Sequence, residues 1–106
     1  MHLGFFILSG VMVIVASAPA RADDVIVYQE GKKFSEAEVT VRVGEAVAYT
    51  NKDPITHNVF SGTPRMSFDL KTQKPGASTT ITFDRVGDAA VQCAIHPQMS
   101  MTVHVQ

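Results

Sequence analysis

The sequence predicts an all-β domain, an antiparallel sandwich or barrel of about seven to eight short strands. Three observations lead to this prediction: residues 23–106 contain eleven valines and one leucine, apolar and polar residues alternate in short runs, and no run has a convincing helical period. Valine is stiff at χ1 and packs well on a pleated surface, so this composition favours strands over helices. Short strands separated by turn residues are typical of sandwiches and barrels.

The predicted strands follow one another along the chain with turn residues between them. Residues 25–28, 39–43 and 47–50 form the first three, with a polar turn near Gly31 and a tight turn at residues 44–45. The remaining predicted strands cover residues 57–60, 79–83, 89–93 and 101–105. Alternation is clearest in residues 39–43, where three valines share one face of the strand.

Residues 61–78 form the least regular part of the predicted domain. Glycine and proline interrupt this segment at four positions, and Phe68 and Leu70 are its isolated apolar residues. These breakers favour a loop. The role of its first part, residues 61–74, is left open.

Length, charge and cysteine count exclude several classes of protein. A chain of 106 residues forms at most one domain, and a formal charge of −1 gives no general attraction to nucleic acid or to an anionic membrane. Cys93 is the one cysteine, so an intramolecular disulfide framework is excluded. Multidomain enzymes, dinucleotide-binding folds and disulfide scaffolds are therefore not expected.

The N-terminus has the pattern of a secretory signal peptide, predicted over residues 1–22. Residues 3–16 are an apolar stretch of the expected length, and residues 20–22 read Ala-Arg-Ala, an A-x-A cleavage site followed by two aspartates. We expect cleavage after Ala22, leaving a domain of residues 23–106. The alternative is an uncleaved membrane anchor, but the run is short for a span and is interrupted by glycine, serine and proline.

Two places on the chain carry metal-ligand chemistry. The first is a C-x2-H-x2-M run, Cys93, His96 and Met99, on a predicted loop between two strands. The second is His57, 36 residues earlier, which opens a predicted strand. A thiolate, two imidazoles and a thioether suit a soft cation. An unligated thiol is also a liability in an oxidising compartment, unless it is buried.

The methionine indicates which metal the site would take. Structural zinc prefers four Cys or His ligands, and one cysteine with two histidines leaves zinc one ligand short. Two histidines and one cysteine in a plane, with a weak axial methionine, form the arrangement found in blue-copper electron-transfer sites. The sequence therefore predicts a copper site.

Three segments carry a resemblance to a known family: T-H-N-V-F at 56–60, P-G-A-S-T-T-I-T-F at 75–83 and C-A-I-H-P-Q-M at 93–99. They resemble the small cupredoxins, especially the amicyanin and plastocyanin-like group, from about residue 34 to residue 105. The resemblance implies a Greek-key β-sandwich that holds one type 1 copper ion, which cycles between Cu(I) and Cu(II). One departure is the segment before Cys93, which lacks an aromatic residue often found there in the family.

The resemblance also implies roles for individual residues. His57, Cys93 and His96 would be the equatorial ligands, and Met99 would be the axial ligand. Asn58 would follow the first ligand and donate its backbone N–H to the thiolate, although a plain strand-start asparagine is the alternative. Electrons would leave through His96. Three residues around His96 would form a docking rim: Ile95, Pro97 and Gln98.

Met101 is the alternative to Met99 as axial ligand. Plastocyanin-like loops place this methionine five residues after the second histidine, which is Met101, whereas amicyanin-like loops place it three residues after, which is Met99. In the last predicted strand Met101 alternates with Val103 and Val105 on one face, so Met101 fits as a core residue. We therefore favour Met99. His104 lies on the opposite face and is expected to be a solvated surface histidine.

The function expected from these features is that of an exported electron carrier, a monomer in the periplasm after cleavage of its leader. It would exchange single electrons with redox proteins, and the resemblance of the loop to amicyanin-like loops implies an amine dehydrogenase or a c-type cytochrome as partner. The alternative is a copper chaperone or storage protein that uses the same ligands. An enzyme is not expected, because four ligands leave copper no open position for a substrate.

Overall fold

The structure is a computed structural model that describes residues 14–17 and 24–106, and in these residues it contains nine strands and no helix. One sheet has the order β1–β7–β4–β2. Its strands are β1 (Ile14–Ser17), β7 (Ser78–Thr82), β4 (Ala46–Asn51) and β2 (Val25–Gln29). The other sheet has the order β3–β9–β8–β5–β6. Its strands are β3 (Glu38–Val41), β9 (Ser100–Val105), β8 (Gly87–Gln92), β5 (His57–Ser61) and β6 (Phe68–Gln73).

Two strand pairs are parallel, which the predicted antiparallel sandwich or barrel did not specify. β2 pairs with β4, and β3 pairs with β9, in parallel register. Parallel neighbours need a crossover connection. Here the chain passes from β2 in the first sheet to β3 in the second, and then returns to β4 in the first. A local hydrophobic pattern carries no information about the direction of a neighbouring strand. The other pairs are antiparallel, as expected.

The core fills the space between the sheets, and valine is its most frequent residue. Val41 and Val103 face it from the second sheet, and Val47 and Ile81 face it from the first. Each is at most 2% exposed, so the period of two in the sequence matches the buried face of the strands. Tyr49, fully buried, packs edge-on against Phe34 with ring centroids 6.0 Å apart.

Two strands were not predicted from the sequence: β1, which lies within the predicted leader, and β6. β6 lies in the segment predicted as loop, and only Phe68 and Leu70 show apolar alternation there. The alternation breaks at Lys71, whose backbone is left-handed with φ 64°, and the register between β5 and β6 shifts between Asn58 and Phe60. Such a bulge removes the simple period of two from the sequence.

The predicted leader lies mostly outside the described residues. Within it, the structure describes β1, which pairs antiparallel with β7 at the edge of the first sheet. This strand contact does not test cleavage after Ala22, which stays a prediction. In the part of the chain that the structure describes, no helix is long and apolar enough to cross a membrane.

The connections divide into two groups at opposite ends of the molecule. The register places loops 30–37, 52–56, 74–77 and 93–99 at one end, which we call the site end because the predicted ligands lie there. Loops 42–45, 62–67 and 83–86 lie at the opposite end.

Candidate metal centre

His57 opens β5 and is completely buried. Its Nδ1 lies 3.1 Å from Nδ1 of His96, and its Nε2 lies 2.6 Å from Oδ2 of Asp53. A carboxylate at Nε2 keeps the proton on that nitrogen, since the oxygen can only accept. Nδ1 is then left with its lone pair directed at His96, and this is the nitrogen available to a metal.

The carboxylate of Asp53 connects His57 to loop 30–37. Besides His57, it accepts backbone N–H groups from Gly31 at 2.7 Å and from Lys32 at 3.0 Å. Desolvation by itself raises the pKa of the Asp53 carboxyl, but the hydrogen bonds from Lys32, His57 and Gly31 outweigh it, so this pKa lies below its usual value of 3.8. A carboxylate with these partners fixes the ring of His57.

Asp53 is not among the site residues predicted from the sequence, and its contact with His57 is not predicted either. The available signal was the position of the carboxylate, four residues before the histidine. The spacing does not predict where the Asp53 side chain points, because its orientation depends on the turn between the two residues. Asn51 helps to set the turn, since its side-chain oxygen accepts the N–H of Asp53 at 2.8 Å.

Cys93 follows directly after β8 and is 1% exposed. Its Sγ accepts two backbone N–H groups, from Asn58 and from His96, each at 3.4 Å. The same sulfur lies 3.7 Å from Nδ1 of His96. Hydrogen bonds to a ligating sulfur tune the redox potential of the metal that it holds.

The loop between β8 and β9 is closed by its own backbone. The N–H of Cys93 donates to the carbonyl of Met99 at 3.3 Å, and the N–H of Met99 donates to the carbonyl of His96 at 2.9 Å. This closure turns His96 back toward the sulfur. One donor atom from each of His57, Cys93 and His96 therefore lies within 4.8 Å of the others, and in the described part of the chain this is the one such group of His, Cys, Asp or Glu.

The structure separates the two methionines that competed for the axial position. Met101 belongs to the core cluster between the sheets, and its Sδ accepts the hydroxyl of Tyr49 at 3.5 Å. Met99 is 1% exposed and lies outside that cluster, at the end of loop 93–99, which we call the ligand loop because it carries predicted ligands. Burial of Met101 in the core matches the alternation that the sequence showed.

Asn58 ties three parts of the site together. Its backbone N–H reaches the sulfur of Cys93, and its side-chain oxygen accepts the N–H of Ala94 at 3.1 Å. Its amide nitrogen donates to Oδ1 of Asp69 at 2.9 Å and to the carbonyl of Lys71 at 3.1 Å. The side chain therefore holds the ligand loop against β6, beyond the backbone contact expected from the sequence.

The surface above the site is formed by the ligand loop. His96 is half-buried, whereas Ile95 is 52% exposed, and Pro97 and Gln98 are also exposed. One edge of the site thus reaches the surface beside a small, uncharged rim.

His104 lies away from the site, on the outer face of the second sheet. Its Nε2 lies 2.6 Å from Oε1 of Glu38, and its Nδ1 lies 2.8 Å from Oδ1 of Asp88. The hydrogen bonds to Glu38 and Asp88 raise its pKa above the usual 6.5. It is a surface histidine, as expected, but one held between two carboxylates.

The donor set fits copper. Two imidazole nitrogens and one thiol sulfur converge in a buried position, and a thioether lies at the end of the same loop. Soft sulfur ligands with imidazole select copper, whereas structural zinc would require a fourth cysteine or histidine. No other histidine or cysteine joins the group among the described residues.

Comparison with known proteins gives the same family from sequence and from fold. The profile of copper-binding proteins of the plastocyanin/azurin family matches residues 23–106. Amicyanin of Paracoccus versutus is 32% identical over 97 residues, which cover 87% of this chain and 72% of that protein. Amicyanin-alpha of Methylorubrum extorquens is 30% identical over 101 residues, which cover 92% of this chain and 83% of that protein.

Solved structures of amicyanin have the same fold as this chain. The crystal structure of Paracoccus versutus amicyanin superposes with a TM-score of 0.77 at 26% identity, covering 87% of this chain and 97% of that one. A Cu(I) form of an amicyanin variant gives a TM-score of 0.80 at 20% identity, covering 89% and 98%. The β-sandwich and the copper expected from the sequence are confirmed. The chain is a cupredoxin and belongs to the plastocyanin/azurin family of copper-binding proteins.

Proposed function

We propose that this cupredoxin is an exported blue copper protein that carries single electrons between redox partners. The observation that carries the proposal is the buried convergence of His57, Cys93 and His96, with only His96 reaching toward the surface. In this proposal these three residues and Met99 would hold a type 1 copper ion. Copper held there supplies one-electron chemistry by alternating between Cu(I) and Cu(II).

In this proposal the protein fixes the positions of the ligands through contacts of its own. Asp53 fixes the ring of His57, two N–H donors fix the sulfur of Cys93, and the closed loop fixes His96. Because these contacts are made within the protein itself, little rearrangement of the chain is needed when the charge at the site changes. A rigid site suits a carrier better than an enzyme, and four protein ligands leave no position for a substrate.

Electron exchange in this proposal runs through His96. Its half-buried ring bridges the buried ligands and the rim of Ile95, Pro97 and Gln98, which would contact the partner. A dehydrogenase or a c-type cytochrome is the proposed class of partner, on the basis of the resemblance of loop 93–99 to amicyanin-like loops. We also propose that residues 1–22 direct export to the periplasm and are removed, leaving a monomeric domain of residues 23–106.

The visible spectrum of the copper-loaded protein tests the site. We expect an intense thiolate-to-Cu(II) charge-transfer band in the wild type and none in Cys93→Ser, since that variant lacks the sulfur. Met101→Leu is the matched control, because it replaces the other methionine next to the loop and should keep the band. A colourless protein that binds Cu(I) and passes it to a chelator would instead favour copper handling.

Export is tested on the full-length chain. Expressed with its leader in a bacterial host, the protein should accumulate in the periplasm with the mass of residues 23–106. A mass that includes Ile14–Ser17 would show that β1 is retained at the edge of the sheet, and the assignment of residues 1–22 as a removable leader would be wrong.

A further inference from the structure

Two glutamine side chains are buried at the site end of the sandwich, and three of their polar atoms have no hydrogen-bond partner among the described residues. Gln29, the last residue of β2, is completely buried, and neither its Oε1 nor its Nε2 is paired. Gln73, the last residue of β6, is 1% exposed, and its Oε1 is unpaired. Buried polar groups are nearly always hydrogen-bonded, because desolvation of an unpaired amide is costly. These three atoms therefore call for a partner.

Both glutamines border the space between the two sheets. Gln29 follows Val27 on the buried face of β2, and its register partner in the neighbouring β4 is Asn51, which is also buried. The side-chain nitrogen of Asn51 donates to the carbonyl of Gln73 at 2.8 Å, and this bond joins the first sheet to the second. Asn51 thus lies beside Gln29 in one sheet and contacts Gln73 in the other. The three amides form one buried polar region.

The two glutamine side chains make no hydrogen bond to each other. Nε2 of Gln73 is used by its own strand, where it donates to the carbonyls of Leu70 at 3.1 Å and Thr72 at 3.4 Å. Nε2 of Gln29, a donor, and Oε1 of Gln73, an acceptor, both stay unpaired. A water molecule can bridge such a pair, and buried waters make about three bonds to groups of this kind. A metal cation does not fit, because an amide nitrogen only donates.

This polar region lies against the support of His57. Gln73 is the register partner of His57 between β6 and β5. The side-chain oxygen of Asn51 accepts the N–H of Asp53 at 2.8 Å, and its nitrogen also donates to the carbonyl of Ile55 at 2.8 Å. Asn51 therefore fixes the turn that carries Asp53, and Asp53 in turn holds the ring of His57.

Gln29 is connected to the same carboxylate from the other side. Its carbonyl accepts the N–H of Lys52 at 2.9 Å, next to Asp53 in the chain. The N–H groups of Gly31 and Lys32, which follow Gln29 in the chain, both donate to the Asp53 carboxylate. A shift of Gln29 would therefore move residues on two connections that hold Asp53.

We propose that Gln29 and Gln73 form a binding site for internal water between the sheets, and that the hydrated site positions His57 through the turn that carries Asp53. Water there accepts a hydrogen bond from Nε2 of Gln29 and donates one to Oε1 of Gln73. It links the end of β2 to the end of β6, so its loss loosens both. This inference goes beyond the proposed function and concerns the copper-free protein. A chain that carried no electrons would leave it standing, and a dry site would leave the carrier intact.

Urea unfolding of the copper-free protein at pH 7 tests the site by the sign of the change. Gln29→Met keeps the approximate length of the side chain and removes the amide. If water is bound, it loses a partner and Oε1 of Gln73 is left unpaired, so the equilibrium constant of unfolding should rise about tenfold. If the site is dry, replacing an unpaired buried amide by an apolar side chain should lower that constant. A lower or unchanged constant would overturn the proposal.

A matched control and a double variant complete the unfolding test. Gln92→Met changes the last residue of β8, which is exposed, and should alter the unfolding constant by no more than about twofold. Gln29→Met/Gln73→Met removes both partners of the water. Its unfolding constant should lie about tenfold below the product of the two single effects, because the same water is lost only once. Independent effects of the two substitutions would contradict a bridging water.

Two further measurements examine the water and the positioning of His57 directly. A crystal structure of the wild type should show water within hydrogen-bond distance of Gln29 Nε2 and Gln73 Oε1, and unpaired amides there would refute the site even if a variant does not fold. By NMR, the ring Nε2–H of His57 should exchange with solvent about tenfold faster in Gln29→Met than in Gln92→Met, because Asp53 is held less firmly. Equal exchange rates would refute the positioning of His57.

Discussion

Asp53→Asn offers a direct test of how the support of His57 stabilises the protein. Asp53 uses both carboxylate oxygens: Oδ1 accepts the N–H of Gly31, and Oδ2 accepts Lys32 and His57. Asparagine has one oxygen, so its amide nitrogen must face at least one of these donors. The least costly orientation keeps the oxygen toward His57 and leaves the N–H of Gly31 without an acceptor.

The size of the effect follows from these bonds. Hydrogen bonds to a charged group contribute roughly 1.5–3 kcal/mol each, and neutral ones about 1 kcal/mol. One bond is lost, and two lose their charged acceptor. We therefore expect the free energy of unfolding to fall by about 2–4 kcal/mol, which corresponds to at least ~10 °C in the unfolding temperature of a domain of this size.

Urea unfolding of the copper-free protein at pH 7 measures this change without the contribution of metal binding. The pKa of Asp53 lies below 3.8 in the folded protein, so its stabilisation is present above that pH and is lost as the pH falls through the folded value. The wild type and the variant should therefore converge in acid. At pH 7 the full difference should be seen.

Asp69→Asn is the matched control. Asp69 accepts from Asn58 and from Lys71, but both bonds end on Oδ1, and the side chain is exposed. An asparagine there can keep both bonds, so we expect a loss below about 1 kcal/mol. If the two variants lose the same stability, the reasoning from the two oxygens of Asp53 is wrong.

Three further predictions concern the two methionines near the ligand loop, His104 on the outer face of the second sheet, and Gly87 at the start of β8. Met101→Ala should lower the free energy of unfolding in urea by about 2–5 kcal/mol and keep the blue band. Met99→Ala should shift the band and the midpoint potential. The reverse pattern would indicate that Met101 is the axial ligand. His104→Gln should lower the unfolding temperature at pH 5–6 and have less effect at pH 9, because a raised pKa stabilises below about pH 6.5 and this contribution is lost as the pH rises through the folded value. A difference independent of pH would contradict the carboxylate contacts of His104. Gly87→Ala should destabilise by roughly 1–3 kcal/mol in the same assay, because φ is +147° and the added Cβ would lie 3.0 Å from Sδ of Met66; an unchanged stability would show that the turn relaxes freely.

Tertiary structure decided which supporting contacts surround the ligands. The sequence predicts a strand at residues 57–60 and the ligand run at 93–99, but it does not predict the contact between Asp53 and His57. Its contact with His57 depends on how loop 52–56 folds against Gly31, which lies on a different connection. Contacts of this kind depend on distant backbone positions, and local patterns do not encode them.

The sequence by itself determined the fold class and the predicted metal site, because both follow from patterns of residues that are close together in the chain. Valine-rich alternation identifies buried strand faces, and the spacing from Cys93 to His96 places two donors on one turn wherever that turn lies. Only the folded chain decided the two parallel strand pairs and the bulged strand at Lys71. These features depend on which strands become neighbours, and that choice is made by packing the whole core between the two sheets.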